Sequence, residues 1–137
     1  MPSGRCLCGA VQYAIAGSFL YAGYCHCSRC RMGSGSAFSA VAGAHLEALR
    51  ITEGQASIST FAKSEDSILS FCKVCGSNLF AVRPSTGMVH VRMGTLAGDP
   101  GVRPMAHVFV GSKAPWHEIT DDLPQFQENA PPPPTAT

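Results

Sequence analysis

The chain has little charge and no long hydrophobic run. Only 14% of its 137 residues are charged and the formal net charge is +1, a balance too weak to favour nucleic acid or an anionic membrane as a partner. No segment approaches the roughly 18 apolar residues of a membrane-spanning helix. The N-terminal segment MPSGRCLCGAV also lacks the basic start, apolar stretch and cleavage site of a secretory signal. We therefore expect a soluble, cytoplasmic protein with no nucleic-acid or membrane partner.

Sustained helical periodicity is scarce as well. Short apolar runs are broken by Gly, Ser, Pro and Asp, a pattern typical of strands joined by tight turns. In VQYAI, alternation places Val11, Tyr13 and Ile15 on one face of a strand. Further strands are predicted at 66–71, 78–82, 88–93 and 107–110, with short helices only after Cys27 and at 44–49. The chain is therefore predicted to be mainly β.

The domain organisation follows from the length and from the C-terminal composition. A chain of 137 residues is long enough for one domain with a sizeable core, since domains commonly span about 100 to 150 residues. Beyond Phe126 the sequence reads QENAPPPPTAT, which offers no large apolar side chain to bury and favours extended polyproline II. We therefore predict one domain at 1–126 and a Pro-rich, disordered tail at 127–137.

Cysteine, by contrast, is abundant and grouped. The seven cysteines form a C-x-C pair, a triplet and a C-x-x-C pair, at Cys6 and Cys8, at Cys25, Cys27 and Cys30, and at Cys72 and Cys75. In a reducing compartment, an odd number of cysteines at these spacings indicates metal ligands rather than disulfides. A lone C-x-x-C would also fit a redox pair, but the segment 72–76 lies between two predicted strands instead of at a helix start. We therefore interpret the cysteines as zinc ligands.

The number of cysteines bears on the kind of zinc site. Two closed sites of four cysteines each would need eight thiolates, so seven cysteines leave one site with three unless a histidine completes it. Structural zinc sites are closed, whereas catalytic sites commonly keep three protein ligands and one open position. His26 lies between two cysteines, and on an extended segment its side chain would point away from both. The more distant histidine candidates are His45, His90, His107 and His117.

Sequence distance alone leaves the partition of the cysteines open. The most economical partition joins the C-x-C and C-x-x-C pairs into one four-cysteine group and leaves the cysteine triplet intact, since any other partition splits a compact group. The four-cysteine group would then be Cys6, Cys8, Cys72 and Cys75, and the cysteine triplet would be Cys25, Cys27 and Cys30.

Three segments that carry the cysteines, GRCLCGAVQY, YCHCSRCR and FCKVCGSNLF, have a distinctive order and spacing. They resemble the glutathione-dependent formaldehyde-activating enzyme family, which includes the centromere protein V domain, and the similarity continues through VRMGTLAGDP and 107–126. The resemblance implies a single zinc-binding β-tent domain of antiparallel sheets with minimal helix. It also implies two zinc ions per chain, a structural ion bound by the four-cysteine group and a catalytic ion bound by the cysteine triplet. The resemblance leaves the substrate open.

The chemistry of a three-thiolate site follows from its charge and its open position. Zinc with three thiolates carries a formal charge of 2 − 3 = −1 and favours soft ligands, so a thiol such as glutathione would bind as the thiolate. That thiolate could add to formaldehyde or another small aldehyde, giving an adduct of the S-hydroxymethylglutathione type. We therefore predict a zinc-dependent carbon-sulfur lyase in which Cys25, Cys27 and Cys30 are catalytic. The second zinc ion, which these three cysteines would bind, is predicted to be labile to thiols.

Two other functions compete with the lyase. Both zinc ions could be structural, in a non-catalytic two-zinc interaction domain like the centromere-protein relatives, but the chain carries no long basic or interaction segment. Thiol-based redox sensing at the triplet would need an exposed thiolate that a bound metal masks. The lyase is the preferred prediction, and the non-catalytic domain is the alternative.

Other side chains near these motifs have weaker indications. Arg29 and Arg31 flank Cys30 and either pair with glutathione carboxylates or lie solvated. Trp116 and Phe109 are predicted to be core residues rather than a substrate platform, because large aromatic side chains are readily buried. The sequence assigns no role to two further residues of the similar segment, His107 and Lys113.

Overall fold

The computed structural model describes residues 1–131 and contains one α-helix and eleven short strands within that range. The strands are β1 (Ser3–Arg5), β2 (Gln12–Ile15), β3 (Tyr21–Cys25), β4 (Ser39–His45), β5 (Leu49–Glu53), β6 (Ile58–Ser64), β7 (Ser67–Cys72), β8 (Asn78–Arg83), β9 (Met88–Arg92), β10 (Leu96–Ala97) and β11 (His107–Val108). The helix α1 spans Ser28–Ser34, and single 3-10 turns span Leu46–Ala48, Gln55–Ser57, Met93–Thr95 and Val110–Ser112. None of the helices within residues 1–131 is long and apolar enough to cross a membrane. The predicted mainly β class with minimal helix is confirmed.

The strands form two sheets. The order is β10-β1-β2-β5 in the smaller sheet and β11-β3-β4-β9-β8-β7-β6 in the larger sheet. Pairings between these strands are antiparallel except that of β11 with β3, which is parallel. The expectation of purely antiparallel sheets therefore needs one correction. A tight turn cannot join parallel strands, and β11 reaches the free edge of β3 through the long connection 98–106.

The core lies between the facing sides of the two sheets. Val11, Tyr13 and Ile15 are at most 1% exposed, as their alternation predicted. The Tyr13 ring packs edge-on against Phe80 with ring centroids 6.2 Å apart, and the Tyr13 hydroxyl lies 2.6 Å from the Thr95 hydroxyl. Burying each large apolar side chain contributes roughly 1.5–3 kcal/mol. This packing uses one side of the larger sheet and leaves its other side available for polar groups.

The side of the larger sheet that faces away from the core, the outer face, carries polar residues. Side chains alternate along a strand, so His90 and Arg92 of β9 lie on the outer face while the residues between and before them are fully buried. The Tyr21 hydroxyl of β3 lies 2.5 Å from His90 Nε2, which places Tyr21 on the same face. Cys25 is four residues further along β3 and therefore shares this face.

The α-helix predicted at 44–49 is wrong, because this segment forms no α-helix. This segment ends strand β4 and then forms the 3-10 turn Leu46–Ala48. His45 pairs with Met88 in the ladder between β4 and β9, and Ala44 is buried in the core. Pairing and burial therefore outweigh the local helix propensity of these residues.

The strand predicted at 107–110 is shorter than expected. It stops at Val108 because Phe109 adopts a left-handed φ of 56°. Such a conformation is uncommon for a residue other than glycine, and it turns the chain into the 3-10 turn Val110–Ser112.

The predicted tail 127–137 begins within the described residues. The Glu128 carbonyl accepts a hydrogen bond from the Phe109 amide at 2.8 Å, and the Gln127 carbonyl accepts one from the Gly111 amide at 3.3 Å. The rest of the predicted tail, residues 132–137, lies outside the described residues. The domain boundary after Phe126 stays a prediction.

Candidate metal centres

The four-cysteine group is assembled by two turns. Cys6 and Cys8 belong to the turn after β1, whereas Cys72 ends β7 and Cys75 lies in the turn that follows it. The four Sγ atoms lie within 4.8 Å of one another, with 3.6 Å between Cys6 and Cys8 and 3.8 Å between Cys8 and Cys72. Tetrahedral zinc at a zinc–sulfur distance near 2.3 Å separates its sulfur ligands by about 3.8 Å. The group could therefore hold one metal ion.

Both turns close on a glycine with positive φ. Gly9 has a φ of 81° and donates to the Cys6 carbonyl at 3.1 Å, and Gly76 has a φ of 79° and donates to the Cys72 carbonyl at 2.7 Å. Glycine adopts such φ values without a side-chain clash, so the chain can bend tightly around the sulfur atoms. The Gly9 hydrogen bond thus closes the C-x-C pair into a turn.

Neighbouring polar groups support the sulfur atoms of this group. The Val11 amide donates to Cys6 Sγ at 3.3 Å, and the Ser77 hydroxyl lies 3.3 Å from Cys75 Sγ. Hydrogen bonding by Ser77 lowers the pKa of Cys75 to about 5. Cys6 and Cys72 are at most 1% exposed and belong to the hydrophobic core. The four-cysteine group is therefore continuous with the packing that holds the fold.

The cysteine triplet lies where β3 meets helix α1. Cys25 is the last residue of β3, Cys27 is the N-cap of α1, and Cys30 lies in its first turn. Their Sγ atoms lie within 4.8 Å of one another, and Cys27 Sγ accepts a hydrogen bond from the Cys30 amide at 3.3 Å. Contact with Cys25 lowers the pKa of Cys30 to about 5 and raises the pKa of Cys25. Within residues 1–131 this group has three metal-ligand atoms.

Two cations flank the triplet. Lys63 places its Nζ 3.9 Å from Cys30 Sγ. Arg92 donates through Nη1 to the Ser39 hydroxyl at 2.8 Å, and Ser39 lies opposite Cys25 in the pairing of β3 with β4. Three thiolates around a divalent metal carry one net negative charge, which nearby cations offset. Sequence reasoning missed both cations, because neither lies near a cysteine along the chain.

A chain of hydrogen bonds that begins at a buried histidine and ends at an exposed carboxylate lies beside the triplet. His26 is fully buried, and its Nε2 lies 2.8 Å from Nδ1 of His107. Nε2 of His107 lies 2.9 Å from a carboxylate oxygen of Asp121, and this hydrogen bond lowers the pKa of Asp121. Burial lowers the pKa of His26 to about 4, so His26 is neutral at neutral pH.

The carboxylate sets the direction of this chain. An ionised carboxylate only accepts hydrogen bonds, so Asp121 requires the His107 proton on Nε2. In the tautomer whose single proton is on Nε2, Nδ1 of His107 accepts from Nε2 of His26, which leaves Nδ1 of His26 as an acceptor. That atom is buried and has no hydrogen-bond partner among the described residues. His26 stands outside the metal-ligand groups found in this part of the chain, in line with its predicted place as a neighbour.

The other histidine candidates also lie outside both groups in the part of the chain that the structure describes. His90 is bonded to Tyr21, and burial lowers the pKa of His90 to about 4. His117 stacks on His26 with ring centroids 6.1 Å apart. Lys113, which the sequence left without a role, donates to the carbonyl of His117. The stacking of His117 on His26 holds the segment after β11 beside the triplet, and the Lys113 hydrogen bond lies within that segment.

The two arginines that flank Cys30 are engaged with backbone carbonyls. Arg31 donates through Nε to the Ser112 carbonyl at 3.1 Å, and Arg29 donates through Nη1 to the Lys63 carbonyl at 3.3 Å. Arg31 thus ties helix α1 to the turn after β11. Arg29 ties the same helix to β6.

Trp116 and Phe109 are not core residues, contrary to the prediction. Trp116 is 71% exposed, whereas the next residue, His117, packs on Phe38 with ring centroids 5.5 Å apart. This segment has no strand alternation, and the indole stays outside because the neighbouring imidazole takes the inward position. Phe109 is only half-buried and lies outside the core cluster.

Two open cavities adjoin helix α1. The first has a volume of about 400 Å³ and is lined by Arg29, Met32, Gly33, Phe61, Lys63 and Leu69. The second has a volume of about 320 Å³, and its wall includes Ser34, Phe38, Ser39, Asn78, Arg92 and Thr95. Each cavity contains one of the two cations that flank the triplet. Both cavities are therefore candidate places for the body of a ligand whose reacting atom binds at the triplet.

The fold and these groups define a class of protein, a two-sheet β domain with two cysteine groups that could hold metal ions. A family model for the glutathione-dependent formaldehyde-activating enzyme matches residues 1–112. The chain belongs to this family, as the resemblance predicted. The family name indicates glutathione and formaldehyde as reactants. His117, which stacks on His26, and Asp121, which bonds to His107, lie beyond the matched residues.

The fold is also similar to a solved structure. The crystal structure of a Rhodobacter sphaeroides protein, a structural genomics target, matches with a TM-score of 0.59 and 28% sequence identity. The match covers 71% of this chain and 89% of that chain. No curated protein shows a sequence match to the chain.

Proposed function

We propose that the chain is a zinc-dependent carbon-sulfur lyase that makes and breaks adducts between glutathione and formaldehyde or another small aldehyde. The observation that carries the proposal is the cysteine triplet, with three sulfur atoms within 4.8 Å, in a chain of a family named for glutathione and formaldehyde. In one direction the thiol sulfur bonds to the aldehyde carbon and the thiol proton passes to the carbonyl oxygen. In the other direction the carbon-sulfur bond breaks and the proton returns to sulfur.

Zinc fits both cysteine groups by donor type and spacing. We assign a structural ion to the four-cysteine group because it offers a closed set of ligands inside the core. We assign the catalytic ion to the triplet because three ligands leave one position for a substrate sulfur. Zinc bound there would stabilise the substrate thiolate and act as a Lewis acid. An ion held by three ligands is also the one that excess thiol would remove more readily.

The surrounding residues would hold the triplet in place and balance its charge. Cys27 is fixed as the N-cap of α1, and Lys63 beside Cys30 favours the ionised form of that thiol. The rings of Phe38 and His117 pack against His26. The segment that carries Cys25 and Cys27 on either side of His26 therefore has little freedom to move. Groups that orient metal ligands from behind commonly affect metal affinity and activity as well.

The proposal is tested by metal stoichiometry together with exchange spectroscopy. We expect two zinc ions per chain, one of them released by excess glutathione, and faster exchange between glutathione, formaldehyde and their adduct in two-dimensional NMR. The matched control is Cys27→Ser, which should abolish the acceleration. If exchange is not accelerated and both metals resist thiols, the lyase is refuted and the non-catalytic two-zinc domain becomes the better function.

A further inference from the structure

Arg92 is a charged side chain that pairs with no carboxylate among residues 1–131. It donates through Nη1 to the hydroxyl of Ser39, which is 2% exposed. The ion pairs formed by residues 1–131 involve Asp66, Asp99 and Asp121, and none of them reaches Arg92. A guanidinium has five N–H donors, so the Ser39 contact leaves most of them free. Arg92 is half-buried and lies close enough to the triplet to offset part of its negative charge, and its remaining N–H donors are available to an anionic ligand.

The surroundings of Arg92 suit a carboxylate. The residue lies in the wall of the cavity of about 320 Å³, together with Ser39, Asn78 and Thr95. These neighbours offer hydroxyl and amide groups, and the residues that line the cavity include no aspartate or glutamate. A planar guanidinium can bind a carboxylate through two parallel hydrogen bonds. The Thr95 hydroxyl and the Asn78 amide already donate to backbone carbonyls. The guanidinium is therefore the main donor that the cavity offers to an anion, and no carboxylate in the lining opposes it.

Arg92 is also close to the triplet. Ser39, which holds the guanidinium, lies directly opposite Cys25 in the antiparallel pairing of β4 with β3. Cα atoms of directly opposed residues are about 4.5–5.5 Å apart in such a pair. A ligand with its sulfur at the triplet would therefore meet the guanidinium about one side-chain length away.

We propose that Arg92 is a specificity-determining residue that binds a carboxylate of the thiol substrate, with Ser39 orienting its guanidinium. The proposal rests on the proposed function for the position of the sulfur and narrows the substrate class to thiols that carry a carboxylate. The arginines next to Cys30 in the sequence are less suited to this task, because Arg29 and Arg31 already donate to backbone carbonyls.

The cavity on the other side of α1 offers a second cation, Lys63, but fits a carboxylate less well. Its walls include the apolar side chains of Phe61, Met32 and Leu69. The Lys63 ammonium lies 3.9 Å from Cys30 Sγ, where it offsets the negative charge of the triplet itself. Lysine is also a flexible point charge without the planar fork of arginine.

The test uses S-methylglutathione and its dimethyl ester as probes. The methylated sulfur cannot bind as a thiolate, so binding reports the carboxylate contacts and does not depend on turnover. Isothermal titration on the zinc-loaded protein should show the acid binding about tenfold or more tightly than the ester, as expected for charge-assisted hydrogen bonds. Arg92→Gln should remove this preference, whereas Lys63→Gln should retain it.

Matched variants control for charge and for folding. Arg50→Gln removes a cation from the exposed side of the smaller sheet, far from the triplet in the strand order, and should bind both probes like the wild type. Ser39→Ala keeps the charge of Arg92 but removes the hydroxyl that orients its guanidinium. It should weaken the binding of the acid several-fold and leave the affinity for the ester unchanged. This second variant decides the question if Arg92→Gln melts early or loses zinc.

Three results would overturn the proposal: equal affinity of the wild type for acid and ester, a full preference in a folded Arg92→Gln, or a preference lost only in Lys63→Gln. The assay also separates this proposal from the lyase. A protein that binds the acid through Arg92 but does not accelerate adduct exchange refutes the lyase alone. A protein that accelerates exchange without an Arg92-dependent preference refutes the carboxylate site alone.

Discussion

Replacing Cys72 and Cys27 separately by serine tests the division of labour between the two proposed metal centres. Cys72 is fully buried at the end of β7 and belongs to the core. Cys27 is half-buried and caps helix α1 by accepting a hydrogen bond from the Cys30 amide. Serine is a preferred N-cap residue because its hydroxyl accepts the same hydrogen bond. The same substitution should therefore disrupt folding at one position and preserve it at the other.

The magnitude follows from what each site contributes to folding. Structural zinc binding is worth about 10–16 kcal/mol in zinc-finger peptides, which is comparable with the whole unfolding free energy of a domain, about 5–15 kcal/mol. Cys72→Ser removes one of four ligands and also leaves a hydroxyl in the core, at a further cost of about 1–3 kcal/mol. We expect Cys72→Ser to unfold at room temperature and Cys27→Ser to keep its stability within about 1 kcal/mol.

The assay compares zinc content, circular dichroism and adduct exchange for the wild type and the two variants. Cys27→Ser should melt like the wild type, retain about one zinc ion and lose the exchange activity. Cys72→Ser should lose its ordered spectrum. The reasoning is refuted if both variants share one melting temperature and one metal content, because the two groups would then contribute equally to folding. A folded Cys27→Ser protein with full activity would refute the catalytic role of the triplet.

Three further predictions concern the surroundings of the site and the fold. Asp121→Ala should change which nitrogen of His107 is preferentially protonated, because the carboxylate is the acceptor that selects Nε2. Long-range proton–nitrogen NMR of the imidazoles measures this tautomer, and an unchanged tautomer would contradict the prediction. Gly54→Ala should destabilise the protein by more than about 2 kcal/mol, since Gly54 has a φ of 78° and an added Cβ would lie 1.8 Å from the Ala10 carbonyl oxygen; an unchanged urea midpoint would contradict this. Trp116→Ala should change the unfolding free energy by no more than about 0.5 kcal/mol, because the indole is 71% exposed, and a large drop in melting temperature would show that it has a packing role.

Much of the strand pattern and the cysteine grouping could be predicted because both depend on the spacing of residues that are close together in the sequence. The alternation of Val11, Tyr13 and Ile15 places them in the core irrespective of which strand they meet. The C-x-C and C-x-x-C spacings likewise make each pair a half-site before the other is located. The structure brings Cys8 and Cys72 together across 64 residues, as the economical partition of the cysteines required.

Errors arose where tertiary contacts compete with local preference. The segment 44–49 has helix-forming residues, yet pairing with β9 holds Ala44 and His45 in a strand. Trp116 has the large aromatic side chain typical of a core residue, but its neighbour His117 packs inward against Phe38 instead. Neither outcome can be read from a single window of sequence, because each depends on a partner far along the chain.

The sequence by itself determined a mainly β chain and the three compact cysteine groups, since strand alternation and cysteine spacing act over only a few residues. Only the tertiary structure decided what surrounds the triplet. Lys63 reaches Cys30 across 33 residues. Arg92 shares a face with Cys25 because of the registers of β3, β4 and β9, and its guanidinium bonds to Ser39, the residue opposite Cys25. Register is set by the packing of the whole sheet against its core, so the cations that flank the triplet appear only once the chain has folded.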